Sequence, residues 1–528
     1  MSRDWRGEGR NEGYRCGRIN AAMKTATSKK GMVVAAHPLA AEAGRDILAS
    51  GGNAIEAAVA VSLALGVVEP FASSLGGGGF MMIAPRGRLA ETIVIDGRGK
   101  VSSLATEDYI YPKMVMLPWV PKTGPMSATV PGLGRMLGLA LRRFGGRISL
   151  ARLAESAIRL AHDGFEVGDV FVYCSSLFEG TVRSTPECAR IFYNKGARFA
   201  PGQRLVQSDL ARSLRIVAEQ GFESCYTGEI GAAMQRTVNA TGPVWGDRDL
   251  SSYQAMIRAP LTAGIAGHQV ATAGPPSRGG AGIIRTLNQY DKDPVALAPI
   301  VRATFRELHP LIGDPDLIDI DLAELIKGPE SPGSHDSQDA PLPGGGTSHF
   351  VTVDGEGTVV TMSQTIGHFF GSGVVVEGYG IVLNDDISDM ERKPGHPNSV
   401  GPDKRAVANM APTIVFRDAK PRLALGTPGS LRIFPAMAQV IGNVLFQGMD
   451  LEAAVAAGRI HWEDNRFFFE GDIDSAVRAR ARCELDSPVD ERRSRDLFFG
   501  GIHAVEILED GTIKGVADPR REGVALPL

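Results

Sequence analysis

The chain has 528 residues, 43 % of them apolar and 22 % charged, which is enough to bury one large core or two to three ordinary ones. A net charge of −4 gives no footing for nucleic acid or an anionic membrane surface. Five scattered cysteines (Cys16, Cys174, Cys188, Cys225 and Cys483) form no CxxC pair, and their odd number speaks against a disulfide framework.

Residues 1–31 read as a polar tail rich in Arg, Gly and Lys. The apolar run Met32–Ala36 is too short for a signal-peptide core, and no run of about twenty apolar residues occurs. With Met1 as the start, the expected location is cytoplasmic, with no membrane partner. Residues 38–50 carry apolar side chains at helical spacing, and Gly51-Gly52 stops the helix. Asn53 caps a second helix, AIEAAVAVSLALGVV, apolar nearly all round and therefore deeply buried. Gly76–Gly79 leads into a strand at Phe80–Ala84, followed by another at Glu91–Asp96. That glycine run lacks the Lys-Ser/Thr of a phosphate loop, so close packing or a turn is its expected role.

Residues 150–310 read as mostly helical, with Ser149 and Ser208 as N-caps. Residues 328–346, GPESPGSHDSQDAPLPGGG, have almost nothing to bury and read as a mobile, solvated loop. Alternation then resumes at Ser348–Val353 and Thr358–Gln364 around the turn Asp354-Gly355-Glu356-Gly357. Further strands are expected near 412–417 and 422–426, and helices near 432–446 and 450–458. Strand pairs flanked by helices predict an α/β layered fold with stacked sheets.

The junction Gly344-Gly345-Gly346-Thr347-Ser348-His349-Phe350 delivers a threonine to the first position of a buried strand. Glycines permit the strained backbone of a scissile peptide. Were the Gly346–Thr347 bond to break, Thr347 would hold a free α-amine, pKa about 7.7–8.0, beside its own hydroxyl. The amine can act as base to a hydroxyl that is a poor nucleophile alone. Taken by itself, a threonine after glycines is more often just a loop entering a strand.

The stretches VVAAHPLAAEAGRDILASGGNAIEAAVAVSLALGVVEPFASSLGGGGFMMI and GGGTSHFVTVDGEGTVVTMSQTIGHFFGSGVVVEGYGIVLNDDISDM, with APTIVFRDAKPRLALGTPGSLRI and VADPRREG, occur in that order. They resemble the γ-glutamyltransferase (γ-glutamyltranspeptidase, glutathione hydrolase) family of N-terminal-nucleophile (Ntn) hydrolases, from about residue 32 to the end.

The resemblance implies a four-layer α-β-β-α sandwich with helical additions from a large subunit. It also implies self-cleavage at Gly346-Thr347 into a large subunit ending at residue 346 and a small one, 347–528. Thr347 would be the nucleophile and Thr365 its hydrogen-bonding partner. The backbone amides of Gly429 and Ser430 would form the oxyanion hole, where the family has two glycines. Arg98 would grip a substrate α-carboxylate and Asp389 an α-ammonium.

Three departures bear on specificity. Gly367 stands where the family has an asparagine that helps hold the α-amino group, Asp386 where it often has Gln or Glu in the same task, and Ala408-Asn409 where a serine pair helps the arginine hold the carboxylate, so Asp386 and Asn409 are expected to bind substrate beside Arg98 and Asp389. The loop ERKPGHPNSVGPDKR is shorter than in relatives with a lid, so a more open site is expected. His349 and His368 are read as structural partners rather than bases. No His/Cys/Asp set has metal-ligand spacing, and no cofactor or metal is expected.

The expected reaction passes a γ-glutamyl group, from glutathione or a related amide, through an ester on Thr347 to water or an amine. The alternatives are an acylase on a non-glutamyl amide and an uncleaved, inactive binding protein. The expected partners are a small amide substrate and the two subunits of one precursor.

Overall fold

The computed structural model describes residues 24–106, 123–328, 345–391 and 394–528. Fourteen strands make up its two large sheets. In chain order they are β1 (Thr25–Ser28), β2 (Met32–Ala35), β3 (Gly78–Ala84), β4 (Ile93–Asp96), β5 (Met256–Arg258), β6 (Leu261–Ile265) and β7 (His268–Thr272). After them come β8 (Gly346–Val353), β9 (Val359–Gly367), β10 (Thr413–Arg417), β11 (Lys420–Gly426), β12 (His503–Ile507), β13 (Ile513–Ala517) and β14 (Val524–Pro527). The helices used below are α1 (Pro38–Ala49), α2 (Ala54–Val68), α3 (Arg278–Asn288), α4 (Pro294–Leu308) and α5 (Ile433–Leu445).

One sheet runs β1-β13-β12-β11-β10-β7-β6 and the other β14-β2-β8-β9-β3-β4-β5. Every pairing within them is antiparallel. The protein is thus a mixed α/β molecule with antiparallel sheets. Successive strand residues point to opposite faces, and in the second sheet both faces are covered. Val33, Ala35, Met81, Ile83, Phe350 and Met362 pack in one cluster with α1 and α2. Met32, Val34, Phe80, Met82, Val351 and Val353 share a second cluster with Ile414, Val415, Leu425 and Val505 of the first sheet. Ile283, Val301, Phe305 and Phe434 from α3, α4 and α5 join that cluster. Burial on both faces explains why FMMI and MVVA read as unbroken apolar runs.

The expected burial of α2 is met, since every residue except Gly66 is buried. Asn53 and Glu56 form a reciprocal capping box at its start. The glycine run is close packing: a Cβ on Gly77 would lie 2.1 Å from the Thr365 carbonyl oxygen.

Some expectations fail. Residues 256–272, read within a mostly helical region, form the edge strands β5 and β6 and the strand β7 beside β6. These are short and half-exposed, so they carry too few apolar positions for a period-2 signal. Ser208 is the first residue of its helix rather than the cap, which is Gln207. Residues 25–28, inside the stretch read as a tail, pair with β13. The expected mobile loop at 328–346 falls mostly on 329–344, outside the described residues. Among the described residues, no helix is long and apolar enough to cross a membrane.

Candidate active site

Strand β8 places Thr347 at the seam between the sheets. Ser348 and Thr352 face the helices, donating to the Glu69 carboxylate and the Ala54 carbonyl respectively. By alternation Thr347 and His349 face the other sheet. The register of β8 on β9 is broken at one point: Gly346 pairs with Gly367 but Thr347 pairs with Thr365, so Ile366 is bulged. A bulge re-aims neighbouring side chains. Here it lets one hydroxyl serve three groups. Thr365 Oγ1 donates to the Gly346 carbonyl at 2.5 Å, accepts from Thr347 Oγ1 at 3.0 Å and accepts from the Gly367 amide at 3.0 Å.

A cleft of roughly 360 Å³ opens over this point. Thr347, Thr365, Ser430, Arg98, Asp389 and Asn409 all line it, although they come from six separate places in the sequence. Gly367 and Ala408, two of the departures, line it as well. Gly429 precedes Ser430 with φ 142°, and Ser430 itself has φ 54°, a left-handed conformation that suits glycine better. A Cβ on Gly345 would lie 2.7 Å from the Ser430 amide nitrogen, so the chain just before Thr347 packs against this turn.

The charged end of the cleft differs from a simple arginine anchor. Arg98 is buried, and its Nη1 donates to Asp386 at 2.7 Å while Nη2 donates to Asp389 at 2.5 Å. Its Nε donates to the Ala406 carbonyl at 3.2 Å. Asp386 does not line the cleft but sits behind Arg98, fully buried. Asn409 accepts from Arg278 Nε at 3.1 Å rather than assisting Arg98.

Burial pushes the Asp386 carboxyl up to about 7, against the opposing pull of Arg98. A carboxyl whose folded pKa is raised stabilises the fold most at low pH, and that contribution is lost as pH rises from about 4 to about 7. Chemical denaturation at pH 5 and pH 8 should show this fall in the wild type, and Asp386→Asn should flatten it. An identical slope in the variant would refute the assignment.

Two residues of the site gain no role from the motif blocks: His368, expected to be a structural partner, and Asp385. His368 lines the cleft, and its Nδ1 lies 2.6 Å from Asp385 Oδ2, while its backbone amide donates to Asp385 Oδ1 at 2.8 Å. Asp385 is fully buried. Its carboxylate occupies the space a side chain at 367 would need, for a Cβ on Gly367 would come within 1.9 Å of Asp385 Oδ1. Gly367 has φ +90° as well. The departure at 367 and the His368–Asp385 pair are therefore one packing solution. Gly367→Asn alone should lower the yield of folded protein and reduce turnover at least tenfold, while Gly367→Asn with Asp385→Asn should recover part of the loss.

His349, in contrast, is held by Ser363 Oγ at Nδ1 (2.9 Å) and Thr361 Oγ1 at Nε2 (3.1 Å), not by Thr347. Burial, with His503 beside it, keeps its pKa well below the usual histidine range, so it is a neutral core residue.

One group of described residues, His309, Glu391 and His396, brings three possible metal-ligand atoms within 4.8 Å of one another. His396 Nδ1 already accepts the Asn398 amide, and His309 Nε2 faces Glu391 at 3.4 Å, which is the pattern of a hydrogen-bonded loop anchor.

A family model described as gamma-glutamyltranspeptidase matches residues 40–313 and 316–528. The chain is 32 % identical to the glutathione hydrolase proenzyme of Bacillus subtilis (strain 168), across 94 % of this chain and 91 % of that protein. It is also 32 % identical to the Acylase ACY 1 proenzyme of Pseudomonas sp. (strain SE83), across 96 % and 95 %. Among solved structures, a cephalosporin acylase from Bacillus halodurans has a TM-score of 0.87 at 24 % identity, covering 98 % of each chain, a likeness of fold.

Proposed function

Because the chain belongs to the γ-glutamyltranspeptidase family, we propose that it is a precursor that cuts itself between Gly346 and Thr347 and then works as an amide-cleaving acyltransferase. The products are a large subunit ending at Gly346 and a small subunit beginning with Thr347. In this reading the two β-sheets and their outer helices form the four-layer α-β-β-α sandwich of the Ntn hydrolases; the apolar cluster shared by both sheets supports it.

The observation that carries the proposal is the hydroxyl arrangement at the bulge. Thr347 Oγ1 is the first atom of a chain running through Thr365 Oγ1 to the Gly346 carbonyl, at the base of the cleft. After cleavage the Thr347 α-amine takes the proton from its own hydroxyl, which attacks the amide carbonyl of the donor. The Gly429 and Ser430 amides hold the oxyanion. The amine leaves, and the acyl group passes from Thr347 to water or to a second amine. A γ-glutamyl donor such as glutathione would be held by Arg98 at its α-carboxylate and by Asp389 at its α-ammonium.

A second reading, an acylase for a non-glutamyl amide, is favoured by one specific feature. Both terminal nitrogens of Arg98 are already taken by Asp386 and Asp389. A substrate carboxylate would compete with these carboxylates for Arg98, Gly367 has no side chain to assist, and the Asn409 side-chain oxygen is bound to Arg278.

Mass spectrometry of the smaller fragment, followed by a panel of γ-glutamyl and non-glutamyl amides, tests both readings. An N-terminus at Thr347 with γ-glutamyl turnover supports the first. Turnover of non-glutamyl amides alone supports the second. A single full-length band, stable for days, would refute both.

A further inference from the structure

We propose that the buried ion pair between Arg432 and Glu463, completed by His461, is the clamp that holds Ser430 in its left-handed conformation and so aims its amide into the cleft. This rests on the proposed acyl transfer, in which that amide is one of the two oxyanion donors, and adds what keeps the donor in place. Glu463 is then a positioning residue for a reaction it does not touch.

Ser430 has φ 54°, a region in which Cβ crowds the following carbonyl oxygen. A serine stays there only where its surroundings over-determine it. Two sets of contacts bracket the residue. On one side, Thr427 Oγ1 donates to the Pro428 carbonyl at 2.8 Å and accepts from the Gly501 amide at 2.9 Å. Those bonds tie the start of the turn to the Gly500-Gly501 loop, and a Cβ on Gly429 would lie 3.5 Å from Gly500 Cα. On the other side, the Arg432 amide donates to the Gly429 carbonyl at 3.0 Å, which closes the turn around Ser430 just before α5. Where Arg432 stands therefore decides how Ser430 turns.

Arg432 is held by charge. Its side chain is buried, its Nη1 donates to Glu463 Oε2 at 2.6 Å, and among the described residues no other carboxylate lies within ion-pair distance of it. The guanidinium also lies over the Phe498 ring, 4.8 Å from the centroid, and Arg492 approaches the same ring at 4.2 Å. Glu463 ends the strand Ile460–Glu463 and shares one face of it with His461, whose Nε2 lies 3.0 Å from the same carboxylate oxygen. Burial keeps His461 below the usual histidine range, so the neutral ring donates from Nε2 to a carboxylate that only accepts. Burial by itself would raise the Glu463 carboxyl, but Arg432 and then His461 bring it down to about 2, so the clamp stays ionised at any working pH. A neutral residue at 463 leaves a buried arginine without its counter-charge, and the turn loses its pin on the α5 side.

The test is a double-mutant cycle on the divided protein, with kcat and KM measured for whichever γ-glutamyl or non-glutamyl amide the wild type turns over fastest. A whole oxyanion donor is worth about 10² to 10³ in kcat. Glu463→Gln only loosens one, so it should lower kcat about tenfold and leave KM within about twofold. Ser430→Gly removes the crowding that the clamp opposes, because glycine enters the left-handed region freely. By itself it should change kcat by less than about twofold; combined with Glu463→Gln it should restore most of the lost rate. General damage to packing would not be repaired by a glycine at this one position. Should Glu463→Gln lose native circular dichroism, Arg432→Lys takes its place in the cycle, since it keeps the cation and gives up the fixed fork. Wild-type kcat in the clamp variant, a rise in KM that matches the fall in kcat, or a loss that Ser430→Gly does not restore would overturn the clamp. A wild-type chain that neither divides nor turns over any amide would overturn the reading beneath it.

Discussion

Thr347→Ala should leave the chain as one piece and lower amide turnover by about 10³-fold or more, the scale seen when a covalent nucleophile is removed. Both losses would come from one missing oxygen, because in the proposed chemistry the same hydroxyl cuts the chain and later carries the acyl group. Misfolding should not confuse the result. Thr347 is buried at the start of a paired strand, and its hydroxyl makes one described side-chain hydrogen bond, to Thr365. Losing that bond costs about 0.5–1.5 kcal/mol, small against the rest of the sheet. Thr347→Ser keeps the oxygen and should still divide. A gel, a substrate assay and circular dichroism on the three proteins are sufficient. Fragments of normal size from Thr347→Ala would remove the chemical basis of the proposed function.

Arg98→Met should destabilise the fold by about 3–5 kcal/mol, because it leaves the Asp386 and Asp389 carboxylates facing each other without the cation between them. Denaturant titration measures the loss. It should be larger at pH 8 than at pH 5, since removing Arg98 takes away the pull that lowers the Asp386 pKa, and protonation relieves the strain only at low pH. Asp389→Asn separates the two substrate readings with less structural damage, the carboxylate being partly exposed. If the donor is γ-glutamyl, the lost anchor for the α-ammonium should raise KM about tenfold or more. If the donor carries a carboxylate and no ammonium, freeing Arg98 Nη2 should lower KM. No change in KM for any donor would mean that this end of the cleft does not touch substrate.

Much of the fold is legible in the order of the amino acids alone. The capped, nearly all apolar α2, the strands read at Phe80–Ala84 and Ser348–Val353, and the β10–β11 and α5 regions stand within two residues of where pattern and turn chemistry put them. They are long or deeply buried, so periodicity speaks clearly. The strands β5 and β6 escape such a reading because short edge strands with exposed residues look like loops, and β7 because its five residues are too few to show a period. In the cleft, motif blocks are enough to name Thr347, Thr365, Ser430, Arg98, Asp389 and Asn409, and all six meet there.

What the amino-acid order does not state is how those residues are already engaged. That Arg98 is spoken for by two carboxylates, and that Asn409 serves Arg278 instead, depends on which loops meet after folding. The His368–Asp385 pair shows the same limit. Its members are separated by a turn and two short strands, and only packing reveals that Gly367 must lack a side chain for the carboxylate to fit. Local pattern determines which segments become strands and helices, because propensity and burial act over a few residues. Tertiary structure alone decides which charges meet, because an ion pair or a tautomer depends on contacts a few ångströms long between residues far apart in the chain.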